Sequence, residues 1–272
     1  MRRGRLATLA ILDEAVERVF RELPGWAGLA GLATLPLRFL EVHFLNRALE
    51  LGSHAGEHGR YLTSLSWLIT LALPLAFWGR AVLAHAVTLT LSGERRLGRR
   101  PFQLRPAALA AGFYAYLAAQ VLVLAFSFTV AGSALALILA GLAVATVPLQ
   151  ERVGPWAPLG TAFGNVRPLR VHVGLFLLAA VAFGVAFVNL AALFDVGLWA
   201  AQALPGLDLT RWEALLSLHN RHFRLLLAAG AALAVEPFWI AALAVTVHRK
   251  RAQQSGEDLR AWFEELVAER AA

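Results

Sequence analysis

Long apolar stretches, separated by short polar segments, dominate the hydropathy pattern of the chain. The segment from Ala107 to Leu149 contains no charged residue, and only Gly132-Ser133 interrupts its apolar character. About 20 apolar residues in a helix cross the hydrocarbon core of a bilayer. The pattern therefore predicts an all-α fold, a polytopic transmembrane helical bundle, with six spans near residues 24–45, 62–90, 107–131, 133–150, 169–194 and 224–247.

Short segments that combine apolar and basic residues precede several of these stretches. Residues 9–23 predict an amphipathic helix, and the segments 94–105 and 155–167 have a similar composition. We expect all three to lie in the cytoplasmic headgroup region, where arginine contacts anionic lipid. The predicted apolar face of the first segment consists of Leu9, Leu12, Val16, Val19, Phe20 and Leu23.

The C-terminal segment, residues 249–272, also predicts an amphipathic helix. Ser255 and Asp258 have the spacing of a capping box at its start. An apolar stripe follows, and it must cover the protein's own cytoplasmic face, the membrane or a partner chain. The predicted docking residues of this stripe are Leu259, Trp262, Phe263 and Leu266. The predicted organisation is an N-terminal interfacial helix (1–23), a six-span domain (24–248) and this C-terminal helix (249–272).

Composition and charge agree with a membrane protein and orient it. Of the 272 residues, 58% are hydrophobic and 16% charged, whereas a soluble domain has about 25% charged residues. Outside the predicted spans, 18 of the 25 Lys and Arg residues fall on one side and five on the other. The positive-inside rule then places both termini in the cytoplasm.

The net charge of +7 raises the question of nucleic acid as a partner. In a membrane protein, however, basic residues normally mark cytoplasmic loops beside anionic lipid headgroups. The densest basic cluster lies directly before the third span, so we expect it to bind lipid headgroups and no nucleic acid. It consists of Arg95, Arg96, Arg99 and Arg100.

Several classes of chemistry are excluded by the residues that the sequence lacks. It has no cysteine, which excludes disulfides, thiolate catalysis, iron–sulfur clusters and thiolate zinc sites. It has no nucleophile elbow, no Walker-type glycine loop and no dinucleotide-binding fingerprint after a strand. We therefore expect no cofactor, and the sequence favours a non-enzymatic protein over an enzyme.

Four charged residues stand out away from the ends of the predicted spans, where charge is costly and usually faces the bundle interior or an aqueous cavity. Arg38 and Glu41 are three residues apart and share one helical face. Glu236 precedes Pro237, whose missing N–H can locally open the helix. Together with Arg80, they predict either a buried ion-pair cluster or the substrate or proton path of a small transporter. The uncharged polar residues expected to join helices by hydrogen bonds are Gln120 and Asn189.

The string from His54 to His58 matches the inverted zincin pattern, in which two histidines bind zinc and a glutamate, here Glu57, acts as general base. That chemistry needs a helix, and the surrounding glycines argue against one. His219 and His222 fall on the same predicted side, so four imidazoles can in principle converge on one metal. The alternative is solvated loop histidines, and we expect no metal.

The succession of cytoplasmic amphipathic helices and spans, including the basic-to-apolar unit Thr161–Arg170, resembles a group of six-span bacterial membrane proteins. These proteins, of uncharacterised function, are related to the membrane domain of glycerophosphodiester phosphodiesterases. The resemblance implies an accessory module of the bacterial inner (plasma) membrane and carries over no catalytic residue. We therefore expect a non-catalytic accessory or scaffold subunit that binds lipids and other membrane subunits. The alternatives are a small transporter and an extracytoplasmic metal-dependent hydrolase.

Overall fold

A computed structural model of the chain describes residues 8–51, 55–125, 129–150, 157–204 and 209–256. Most of these residues are helical, and none of them lies in a strand. The π-helical turn Arg18–Glu22 follows the first helix, and 3-10 turns occupy Arg100–Phe102 and Val147–Leu149. In chain order the α-helices are α1 (Thr8–Glu17), α2 (Pro24–Leu51), α3 (Ala55–Leu91), α4 (Pro106–Ala125), α5 (Val130–Ala145), α6 (Ala157–Asn165), α7 (Leu169–Gln202), α8 (Thr210–Leu215) and α9 (Arg221–Ser255).

Each of the six predicted apolar stretches coincides with one helix, namely α2, α3, α4, α5, α7 and α9. Three of these helices are long and apolar enough to cross a membrane: α7, α9 and the segment Thr70–Leu91 of α3. The apolar segments of α4 and α5 are shorter, at Pro106–Leu122 and Ala134–Ala145. Over its described residues the chain is therefore all-helical, and three of the helices found there have the length and composition of membrane spans.

The chain forms two compact units, and α2, α3, α7 and α9 contribute residues to both. The first unit comprises the described residues of Met1–Ala27, Arg80–Leu177 and Phe238–Ala272. The second comprises those of Gly28–Gly79 and Leu178–Pro237. The two units contain different polar features, which are described separately below.

In the first unit, α4 and α5 form a helical hairpin whose contact surface is built from buried alanines, including Ala115 and Ala143. Gly141 of α5 lies against α9, where a Cβ atom would overlap the side chain of Leu243 and come within 2.9 Å of Trp239 Nε1. Small residues thus allow helices in this unit to approach closely, as is usual in membrane bundles.

The first helical segment buries only part of the predicted face: Val19 and Leu23 are buried, whereas Leu12 and Val16 are only partly buried. Its buried residues are four apart, so they form a single row along the helix. Leu9 and Phe20, which were predicted to lie on the apolar face, are 70% and 68% exposed. Phe20 nevertheless packs on Phe238, with ring centroids 5.0 Å apart. The buried row consists of Ile11, Ala15, Val19 and Leu23.

In the second unit, two small apolar clusters hold the helices together. One joins α2 to α3 through Leu37, Ala72 and Ala76. The other joins α7 to α9 and centres on Ala191 and Phe223. Much of α7 outside this contact is exposed, although its residues are apolar.

Two polar segments differ from their predicted structure. The segment 94–105, predicted to be an amphipathic helix, contains only turns and the 3-10 turn Arg100–Phe102. Gly93 and Gly98 adopt positive φ angles of 88° and 48°, which interrupt a right-handed helix. Of the segment 155–167, the structure describes residues 157–167, and these are helical over α6.

The boundaries between neighbouring helices also differ from the prediction. Gly132 was predicted to separate two spans, but it lies inside α5, and Thr129 caps that helix by accepting a hydrogen bond from Gly132 N at 3.2 Å. Glycines were expected to prevent a helix before residue 60, yet α3 begins at Ala55. In addition, α9 runs unbroken through Pro237, where an opening of the helix was predicted.

Candidate functional site

A charged cluster joins two helices within the second unit. Arg38 of α2 donates from Nη2 to Glu236 Oε2 of α9 at 3.0 Å, and from Nη1 to Glu41 Oε2 at 2.7 Å. The Arg38 side chain is 24% exposed, that of Glu236 is 12% exposed and that of Glu41 is 44% exposed. Three of the four predicted intramembrane charges therefore meet, with one guanidinium between two carboxylates.

A threonine that sequence reasoning missed completes this cluster. Thr34, which is 1% exposed, lies one helical turn before Arg38 on α2. Its hydroxyl donates to Ala30 O at 2.8 Å and lies 3.4 Å from Glu236 Oε1. The spacing of four residues between Thr34 and Arg38 could have predicted that Thr34 lies beside the cluster, because residues four apart share a helical face.

The fourth predicted charge, Arg80, belongs to the first unit. It is 6% exposed and donates from Nη1 to Tyr116 Oη of α4 at 2.5 Å. The guanidinium also lies over the tyrosine ring, 5.6 Å from its centroid, in a geometry that favours a cation–π contact. Tyr116 was not among the predicted residues, and its contact with Arg80 joins α3 to α4.

The polar residue Asn189 lies within α7, the most apolar of the three candidate spans. It is exposed, as are the neighbouring residues Val185 and Val196 on the same face. Ala191, which packs against Phe223, lies about 200° further around the helix at 100° per residue. Asn189 thus points away from the contact that α7 makes within its own unit.

The histidine motif is only partly described. His54 lies outside the described residues, while Glu57 and His58 fall in the first turn of α3. His219 Nδ1 lies 3.2 Å from Ser217 Oγ, and the backbone N–H of His222 donates to Asn220 Oδ1 at 3.0 Å. Among the described residues, no group of three or more His, Asp or Glu side chains is placed to hold a metal ion.

The basic cluster lies in the turn region between α3 and α4, and its arginines are exposed. Arg100 Nη1 pairs with Glu94 Oε1 at 2.5 Å. This exposure leaves the cluster accessible to lipid headgroups. The predicted docking residues of the C-terminal segment, Leu259, Trp262, Phe263 and Leu266, lie outside the described residues.

Comparison of the chain with protein-family models, with curated proteins and with solved structures finds no match. The layout resemblance to six-span bacterial membrane proteins therefore stays a hypothesis. What can be said of function rests on the chain's own residues.

Proposed function

We propose that this chain is a non-catalytic accessory subunit of a membrane protein complex, which binds a partner helix through the exposed face of α7. Asn189 carries the proposal. A carboxamide that faces lipid leaves its hydrogen-bonding groups without water, which costs free energy in hydrocarbon. A hydrogen bond to a polar group on a neighbouring transmembrane helix removes that cost.

The surroundings of Asn189 support a helix as its partner. The face of α7 around Asn189 is formed by exposed apolar side chains of small to medium size, against which a second helix can pack. These residues are Val185, Ala192 and Val196. A helix that is apolar around its whole circumference is covered by lipid or by other helices. Lipid alone can cover the valine side chains, whereas the amide of Asn189 needs a hydrogen-bond partner, which a protein can provide.

We further propose six spans, with both termini in the cytoplasm of a bacterial inner membrane. Helix α4, Pro106–Ala125, is about 30 Å long at 1.5 Å per residue, which equals the thickness of a typical hydrocarbon core. Helix α5, Val130–Ala145, measures about 24 Å, and the 3-10 turn Val147–Leu149 adds about 6 Å. These lengths, with the distribution of basic residues, support two further spans beside α2.

The geometry of the charged cluster favours a structural role over a transport path. Arg38 already has two carboxylate partners, Glu41 and Glu236, at hydrogen-bonding distance. Such a pairing lowers the cost of keeping charge inside a bundle. The transporter and the metal-dependent hydrolase remain alternative hypotheses inferred from the sequence.

The proposal is tested by purifying the protein from its native membrane in a mild detergent. We expect a second membrane protein to co-purify with the wild-type chain and to be lost, at least in large part, with Asn189→Leu. Phe183→Leu is the matched control, because Phe183 is 37% exposed on α7 but about 120° away from Asn189. It is expected to retain the partner.

A position-specific cross-link provides a second readout. The chain has no cysteine, so Val185→Cys introduces a unique thiol on the proposed contact face. Cross-linking from this site, but not from Phe183→Cys, about 160° away on α7, is expected to yield one discrete heteromeric product. Recovery of a monodisperse monomer, or of a product with the mass of two copies of this chain, would contradict the accessory role.

A further inference from the structure

A polar cavity of about 220 Å³ lies in the first unit, beside the ends of several helices. Arg105 precedes the first residue of α4, and Arg251 lies near the end of α9. Gln150 follows the 3-10 turn after α5, and Gln103 comes from the segment between α3 and α4. His85 of α3 completes the polar part of the lining, and the other lining residues are Leu104, Pro148 and Leu149.

Gln150 distinguishes this cavity from an ordinary surface depression. The residue is only 8% exposed, and neither Nε2 nor Oε1 of its amide has a hydrogen-bond partner among the residues that the structure describes. A buried amide without a partner destabilises the fold, because no hydrogen bond compensates for the water that it has lost. Such a side chain at the wall of a cavity points to a ligand with polar atoms.

The charge of the lining determines which ligands are suitable. Arg105 and Arg251 carry permanent positive charges, and no carboxylate is among the residues that line the cavity. Arg251 Nη1 donates to Leu149 O at 3.4 Å, which holds the guanidinium at the rim. His85 Nδ1 lies 3.1 Å from Pro101 O; since a carbonyl only accepts, this nitrogen carries the proton. The lining thus offers guanidinium and amide donors to an anion.

The volume and position of the cavity narrow the choice of anion. Cavities that take drug-sized ligands are about 300–1,000 Å³, so this one suits a smaller group. Arginine forks match the oxygen atoms of phosphate with two parallel hydrogen bonds. Three of the lining residues, Gln103, Leu104 and Arg105, belong to the segment 94–105, which was predicted to lie at the cytoplasmic headgroup level.

We propose that this cavity binds a phosphate group, held by Arg105 and Arg251 and oriented by the amide of Gln150. The group belongs either to an anionic lipid headgroup or to a soluble phosphate, which share this chemistry. The site is distinct from the exposed arginine cluster of the preceding loop, because none of those four arginines lines the cavity.

The test uses the full-length protein, purified in a neutral detergent without phosphate. Its thermal midpoint is followed by the fluorescence of its eight tryptophans while inorganic phosphate is added. In a second arm, the protein is placed in phosphatidylcholine nanodiscs with or without phosphatidic acid. We expect a saturable rise of the midpoint in at least one arm. A response to inorganic phosphate assigns a soluble ligand, and a response to phosphatidic acid alone assigns a lipid headgroup.

Three variants and one control test the assignment of residues. Arg105→Gln and Arg251→Gln are each expected to weaken the response roughly tenfold or more, as for a lost charge-assisted hydrogen bond. Gln150→Leu removes a buried, unsatisfied amide, so it should raise the midpoint without ligand and abolish the response to ligand. Arg224→Gln, at an exposed position of α9 in the second unit, is the control and should leave the response unchanged. The absence of a response in both arms, or an equal loss with Arg224→Gln, would overturn the proposal.

Discussion

Arg38 Nη2 lies 3.0 Å from Glu236 Oε2, an ion pair that joins α2 to α9 between residues 198 positions apart in the sequence. The cluster thereby connects helices from opposite ends of the chain. Because the Glu236 carboxylate is 12% exposed, removing Arg38 takes this counterion away from a largely buried charge. Substituting either residue therefore measures how much this ion pair contributes to the stability of the second unit.

Glu236→Gln is expected to lower the free energy of unfolding by about 3 kcal/mol. This value is the lower end of the range for breaking a buried ion pair, since Arg38 keeps Glu41 as a partner. The measurement is a denaturant titration in detergent. Glu41→Gln is the control, and its expected loss is under about 1 kcal/mol because that carboxylate is 44% exposed. Equal losses for both variants would contradict this interpretation.

Tyr116→Phe is expected to destabilise the first unit by about 1–3 kcal/mol. The substitution keeps the aromatic ring beneath Arg80 but removes the hydroxyl that accepts a hydrogen bond from its buried guanidinium. Thermal melting in detergent measures the effect. Tyr114→Phe, on the same helix with a side chain that is 48% exposed, should change the midpoint little.

Gly141→Val tests the close approach of α5 to α9. The new side chain would overlap Leu243, which is fully buried, and Trp239, so the helices must separate. Overpacking of this kind costs about 1–3 kcal/mol. Gly31→Ala on α2 is the control: no atom lies within 4 Å of the added Cβ, and alanine favours a helix by up to about 1 kcal/mol. Thermal melting should therefore show opposite shifts for the two variants.

Helix positions were predictable from the sequence because apolar stretches of sufficient length have few alternatives to a helix in lipid. The ends of the helices were less predictable. Gly132 was interpreted as a break, but it lies in the first turn of α5, which Thr129 caps. Gly93 and Gly98, in contrast, adopt positive φ angles and end the regular structure.

The partners of polar residues were predictable from spacing where both lie on one helix, and the meeting of Arg38 with Glu236 was anticipated from the cost of charge within apolar segments. The three-residue spacing of Arg38 and Glu41 indicated their ion pair directly. Tyr116 contacts Arg80 across 36 positions of sequence, and this pairing depends on how α4 packs. The burial of Gln150 also depends on tertiary packing, so no sequence pattern marked it.

Glu14→Gln is expected to loosen α1 without unfolding the protein. Glu14 Oε2 accepts from Arg249 Nη2, which ties α1 to the end of α9, and both side chains are about one-quarter exposed. We expect faster hydrogen exchange over residues 8–22, with a loss of global stability under about 1 kcal/mol. Glu17→Gln, which breaks only the ion pair with Arg21 within the N-terminal helical segment, is the control. High salt should reproduce the effect of Glu14→Gln in the wild-type chain.

The proposed topology is testable with single cysteines, because the chain contains none of its own. Ser92 follows α3, Ala131 lies in the first turn of α5, Ala214 lies in α8 and Ser255 ends α9, and all four are exposed. Six spans place Ala131 and Ala214 outside, with Ser92 and Ser255 in the cytoplasm. If α4 and α5 do not cross the membrane, Ala131 stays on the side of Ser92.

A membrane-impermeant thiol reagent applied to intact cells distinguishes these two arrangements. We expect Ala131→Cys and Ala214→Cys to react fully, and Ser92→Cys and Ser255→Cys to react only after the cells are permeabilised. The cytoplasmic pair controls for leakage, and Ala214→Cys controls for access of the reagent. Protection of Ala131→Cys together with Ser92→Cys would reduce the number of spans to four. It would also place the α4–α5 hairpin at the cytoplasmic surface, because Ala131 would then lie on the same side as Ser92. In that case the thickness of the bilayer would not determine the lengths of α4 and α5.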